Sequence, residues 1–151
     1  MDRLTDQDAY LSLVSKGDLW QIRNTITVIE RFLKDHGLSE DWIGDLKLVL
    51  AEAMTNTVRH GGLDPDSDIR VTLSLGEGCL NCVLMDTGRS FDPTALGHTQ
   101  PDPEQLREGG YGWFIIRNLS KRINYSHENG INSLSFALPL EDAEDGRGKR
   151  M

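Results

Sequence analysis

Cysteine, apolar runs and positive charge are all in short supply in this chain of 151 residues, which holds two Cys and sets 16 Lys and Arg against 24 Asp and Glu. Each shortage excludes something. Cys79 and Cys82 form a single C-x-x-C with no second pair to complete a structural zinc site. They also lie in the run Cys79 to Met85, which reads as a strand, whereas a redox pair opens a helix. Residues three apart on a strand point to opposite faces, so both are expected to be buried structural thiols. No stretch is long enough to cross a bilayer and no charged-then-apolar leader opens the chain, so the expectation is a cytoplasmic protein with no membrane partner. The net charge of −8, with its basic residues dispersed, excludes a broad electrostatic grip on nucleic acid. It does not exclude a nucleotide, because a phosphate chain needs only a few backbone N–H groups, a metal ion and at most one Arg.

The length suits one core, expected over residues 1–140, with the charged, Gly-containing segment 141–151 as a disordered tail. Tyr10 to Val14 alternates like an edge strand. From the N-cap Asp18, apolar Leu19, Ile22, Ile26, Ile29, Phe32 and Leu33 recur at helical spacing until His36-Gly37. Ser39 caps a second helix with Glu40 and Asp41 in its first turn, Ile43, Leu46, Leu50 and Met54 on one face, and Gly61-Gly62 at its end. Two strands, Ile69 to Leu75 and Cys79 to Met85, turn at Gly76-Glu77-Gly78. A long loop follows from Asp86 to Gly110, then a helix over Tyr111 to Leu119. A final hairpin, Arg122 to His127 and Asn132 to Leu138, turns at Glu128-Asn129-Gly130. This order predicts an α+β fold, a two-layer α/β sandwich with helices on one face of the sheet and a partly polar opposite face.

Three motifs stand on this framework. The second helix carries Glu52-Ala53-Met54-Thr55-Asn56-Thr57-Val58-Arg59-His60-Gly61. Four residues along a helix advance about 6 Å and turn only about 40° past a full turn, so Glu52 and Asn56 share a face and can work on one ligand. Taken alone, they also suit the solvated side of an amphipathic helix. Asp86-Thr87-Gly88-Arg89-Ser90-Phe91-Asp92-Pro93 closes the hairpin, and taken alone is an ordinary turn. Glu108-Gly109-Gly110-Tyr111-Gly112-Trp113 opens the third helix, where glycines let backbone N–H groups close around an anion.

In this order, the three motifs resemble the N box and the two glycine boxes of the anti-sigma factor serine-protein kinases. These belong to the ATPase superfamily shared by gyrase and the histidine kinases. The resemblance spans about residues 9 to 140 and implies the Bergerat, histidine-kinase-like fold with a mixed sheet. It implies that ATP and Mg²⁺ are bound, with Asn56 on the metal, Glu52 as catalytic base, Asp86 on the adenine amino group and Gly88 beside the base. Arg59, His60, Phe91, Arg107, Gly109, Gly110, Tyr111 and Gly112 complete the implied nucleotide site, and the loop between the glycine boxes corresponds to the lid. Ser90 stands where many relatives have a second Gly. Trp113 replaces a Leu and reads as packing. Asn132 occupies the place of a Thr that approaches adenine, and it keeps a donor and an acceptor there.

The histidine-kinase relatives carry a helical hairpin with the phosphorylated His, and the gyrase relatives carry transducing domains. Neither is expected within these 151 residues. The resemblance therefore implies an anti-sigma factor that phosphorylates a Ser of a small antagonist, the anti-anti-sigma protein, and binds a sigma factor in one state. A homodimer through the first helix is also implied. Two alternatives stay open at this point: a nucleotide-gated binding module without useful phosphotransfer, and an interaction domain that binds no nucleotide.

Overall fold

In the computed structural model of the chain, which describes residues 9–61, 64–76, 78–89, 117–118 and 120–140, the first apolar alternation forms strand β1 (Tyr10–Lys16). Asp18 then starts helix α1 (Leu19–Asp35), its carboxylate accepting from the N–H groups of Trp20 and Gln21 at 2.8 and 3.1 Å. Two of the donors that a helix start leaves orphaned are thereby satisfied. Gly37 takes a left-handed φ of +86°, and the Leu38 N–H bonds back to the Leu33 carbonyl at 3.2 Å, which closes the helix. The Ser39 hydroxyl accepts from the Trp42 N–H at 3.2 Å and opens helix α2 (Glu40–Gly61).

Strands β2 (Asp68–Gly76), β3 (Cys79–Asp86), β4 (Lys121–Glu128) and β5 (Ile131–Pro139) join β1 in one sheet of order β1-β2-β3-β5-β4. The expected edge position of β1 is observed. The expected mixed sheet is not: all four pairings are antiparallel. The reason is the helix pair. One crossover helix would bring the chain back parallel, but two helices in succession return it to the end it left, so β2 begins with Asp68 opposite Lys16. Asn129 and Gly130 both have positive φ, at 54° and 79°, the pairing that a tight β4–β5 hairpin turn requires.

Ile69, Val71, Leu73 and Leu75 of β2, Leu80, Cys82 and Leu84 of β3, and Leu134, Phe136 and Leu138 of β5 form one buried face. Ile22, Ile26, Ile29 and Leu33 of α1 and Ile43, Leu46, Leu50 and Met54 of α2 belong to the same core cluster. Each such side chain contributes about 1.5–3 kcal/mol by leaving water. The opposite face is mixed, as expected, with Ser12, Thr72, Ser74, Asn81 and Ser135 on it by register. Cys79 and Cys82 fall on opposite faces and both are buried free thiols, as the strand parity predicts.

The lengths of β1 to β5 extend the expected strands by one or two residues at their ends. Of the expected third helix only residues 117 and 118 are described, and they are helical; the long loop beyond residue 89 and the segment 141–151 lie outside the described residues. Among the described residues no helix is long and apolar enough to cross a membrane.

Candidate functional site

Helix α2 presents Val49, Ala53 and Asn56 along one buried line beside its apolar stripe, so the amide of Asn56 is held inside the fold and only 4% of the residue is exposed. Glu52, one turn earlier and half-buried, accepts a hydrogen bond at Oε2 from Asn56 Nδ2 at 3.1 Å. This bond orients the amide. With Nδ2 committed to the carboxylate, Oδ1 is the atom Asn56 has left to offer, and it is an acceptor. Thr55 and Thr57 return their hydroxyls to the Ala51 and Ala53 carbonyls at 2.7 and 3.1 Å, which keeps both out of competition for Asn56. Arg59 and His60 belong to the last turn of α2.

At the end of β3 the Asp86 carboxylate accepts the Gly88 N–H at 2.8 Å, the short-range turn expected of Asp-x-Gly. The strand register sets Asp86 opposite Asn132. Both residues point to the helix-covered face, two positions on from Leu84 and two before Leu134. Asn132 Nδ2 donates to Asp86 Oδ1 at 2.9 Å and to the Gly88 carbonyl at 2.9 Å. Its Oδ1 accepts from the Tyr125 hydroxyl at 2.9 Å and pairs with His127 Nδ1, both on β4. Asn132 is 4% exposed, so these bonds replace the water it loses.

Helix rise and strand length set the two groups at about the same level along the sheet. Trp42 Nε1 donates to the Pro139 carbonyl at 3.0 Å, which fixes the start of α2 to the far end of β5. Buried residues up to Met54 keep the helix on the sheet. From Trp42 to Asn56 the helix rises about 21 Å. From Pro139 back to Asn132 the strand covers about 23 Å. Asn56 therefore comes level with Asn132 and Asp86, although no hydrogen bond joins the two groups among the described residues.

The structure thus brings Glu52 together with Asn56, and Asp86 together with Gly88. Phe91, Arg107, Gly109, Gly110, Tyr111 and Gly112 lie outside the described residues. Tyr125 and His127 had not been expected near the site, nor Asn132 as its hub. The signal for Asn132 was present in the sequence: it is in phase with Leu134, Phe136 and Leu138, and a polar residue on a buried phase must find partners.

The histidine kinase-like ATPase domain family matches residues 16–138. The serine-protein kinase RsbW of Oceanobacillus iheyensis is 33% identical over 116 residues, covering 72% of this chain and 73% of that protein. The serine-protein kinase RsbW of Halalkalibacterium halodurans is 29% identical over 132 residues, covering 83% and 79%. Among solved structures, the SiaB–SiaC complex from Pseudomonas aeruginosa contains a chain alike at a TM-score of 0.62 and 19% identity, over 85% of this chain and 88% of that one. The RsbU and RsbW domains of a Mycobacterium tuberculosis protein match at a TM-score of 0.63 and 16% identity over 87% of this chain. The match spans 32% of that longer chain. At these identities the structural likeness is one of fold.

Proposed function

Since the chain belongs to the histidine kinase-like ATPase domain family and is a relative of the RsbW serine-protein kinases, we propose that it is an ATP-dependent protein serine kinase. Its protein substrate in this reading is a small anti-anti-sigma antagonist, and it acts as an anti-sigma factor that holds a sigma factor in one state of a partner switch. The observation that supports the reading is the Glu52–Asn56 hydrogen bond on α2, at a level along the sheet estimated from helix rise to match that of the Asp86–Gly88 turn.

Asp86 would take the adenine 6-amino group, since a carboxylate accepts from that donor. Asn56 would hold Mg²⁺. The donor chemistry fits, because Mg²⁺ prefers oxygen, keeps most of its waters and needs few protein ligands beside the phosphates. Glu52 leaves Asn56 with an oxygen to offer. Bound there, the ion neutralises phosphate charge. Glu52 is the proposed base: as the Ser oxygen bonds to the γ-phosphorus and the bond to the β,γ-bridging oxygen breaks, ADP leaves and the Ser proton passes to the Glu52 carboxylate. Gly110 and Gly112 would offer backbone N–H groups to the phosphates, with Arg107 beside them.

The test is a titration of the purified protein with a slowly hydrolysed ATP analogue, with and without Mg²⁺, followed by phosphate transfer from radiolabelled ATP to a purified antagonist protein. Glu52→Gln should keep analogue binding and lose transfer by at least about a hundredfold. Binding without any transfer by the wild-type protein would replace the kinase by a nucleotide-gated binding module. No binding at all would bring down the nucleotide site.

A further inference from the structure

Asn132 does more than fill the sheet end. The three acceptors within reach of its Nδ2 are the Asp86 carboxylate at 2.9 Å, the Gly88 carbonyl at 2.9 Å and the Arg89 carbonyl at 3.5 Å. Two of the three are backbone carbonyls, which never donate, so this side of the amide has to be the NH₂. The other side is then Oδ1, and it faces the Tyr125 hydroxyl and His127 Nδ1. Both must donate, which assigns the His127 proton to Nδ1.

The consequence reaches Asp86. Its Oδ1 already accepts two N–H donors, from Gly88 and Asn132. Among the described residues nothing donates to Oδ2, so Oδ2 is the atom it offers to a ligand. Resting on the nucleotide-binding reading above, we propose that Tyr125, His127 and Asn132 form a positioning relay. The relay fixes Asp86 so that Oδ2 selects a purine carrying a 6-amino donor over one carrying a 6-oxo acceptor. None of the three residues need touch the base. Tyr125 and His127 hold the amide in one orientation, and the amide holds the carboxylate. If the amide turned over, its oxygen would face Asp86 Oδ1 and the Gly88 carbonyl, three acceptors against one another, and the carboxylate would swing away.

The experiment measures Mg²⁺-dependent dissociation constants of ATP and inosine triphosphate by calorimetry, for the wild-type chain and for Asn132→Asp and Tyr125→Phe. Thermal unfolding of each protein accompanies the titrations. The wild type should prefer ATP. Asn132→Asp keeps the shape but sets an acceptor against Asp86, and should weaken ATP by at least about tenfold while inosine triphosphate changes little, so the preference collapses. Tyr125→Phe removes one of the two donors that hold the amide and should reduce the preference part of the way. Equal weakening of both nucleotides would mean a purely structural role and overturns the relay, as does an unchanged preference in either folded variant. If Asn132→Asp does not fold, Tyr125→Phe decides. A wild type that binds ATP without preferring it sinks the relay but spares the nucleotide site. A wild type that binds neither nucleotide sinks both.

Discussion

Asp86 and Asn132 are direct partners in the β3–β5 register, and a side-chain hydrogen bond of 2.9 Å ties the last residue of one strand to the start of the other. The carboxylate is therefore held from two sides, by its own turn and by the neighbouring strand. Asp86→Asn should weaken ATP binding by at least about tenfold, because the substituted amide cannot accept at both of its atoms. The fold should survive, since Gly88 can still donate to the amide oxygen. Calorimetric titration with Mg²⁺-ATP checks this, and affinity within twofold of wild type would remove Asp86 from the site.

Asn56→Ala separates metal from nucleotide. It deletes the oxygen proposed to hold Mg²⁺ and leaves Glu52 without its amide partner. The expected result is loss of the Mg²⁺-dependent part of binding, with the weaker metal-free affinity for the nucleotide unchanged. Titrations in Mg²⁺ and in chelator measure both, and an equal loss in the two conditions would point to a damaged helix instead.

Leu50 is fully buried where α2 meets the sheet, whereas Asp18 acts only at the start of α1. Leu50→Ala should cost about 2–5 kcal/mol of stability through lost burial and a cavity. Asp18→Ala should cost about 0.5–2 kcal/mol through two unsatisfied N–H groups. Urea unfolding ranks the two, and a larger cost for the cap would contradict the packing.

The Cys82 thiol is wholly buried, and desolvation pushes its pKa far up from the ordinary 9.0. In the unfolded chain the thiol ionises near that ordinary value; in the folded chain it stays protonated. Above pH 9 the native state therefore binds one more proton than the unfolded state, and stability falls as pH rises, by about 1.4 kcal/mol per unit from this group. Cys82→Ala should lose stability at neutral pH but show a shallower decline from pH 9 to 10.5. Parallel slopes in urea unfolding would show that Cys82 is not the source.

Most of the framework was legible because it rests on local chemistry. The Asp18 and Ser39 caps, the helical spacing from Ile22 to Leu33 and the Asn129-Gly130 turn each fix an element from a few neighbouring residues. Strand direction was legible within the two hairpins, from their turn residues, but not between β1 and β2 or between β3 and β5. Whether β1 and β2 run parallel depends on how many helices intervene and where they return the chain, a long-range fact that no window of residues contains. The pairing of Glu52 with Asn56 followed from helix geometry alone. The hub at Asn132 did not, because its partners come from β3 and β4 and meet only once the register is set. Arg122 has a similar history: its left-handed φ of 56° sits at the irregularity between Lys121 and Asn124, and nothing in its local sequence announces it.

The bond from Trp42 to the Pro139 carbonyl makes α2 a ruler graduated in turns. Deleting one residue between Leu46 and Glu52 would shorten the helix by only about 1.5 Å, yet it would rotate Glu52 and Asn56 by about 100° about the helix axis. Deleting about a whole turn would restore the face but draw Asn56 back by about 5.4 Å from the level of Asp86. Neither change would suit a nucleotide bound as proposed, across both. On that reading exposed positions such as Leu48 can vary in identity, whereas the number of residues between Trp42 and Asn56 should not.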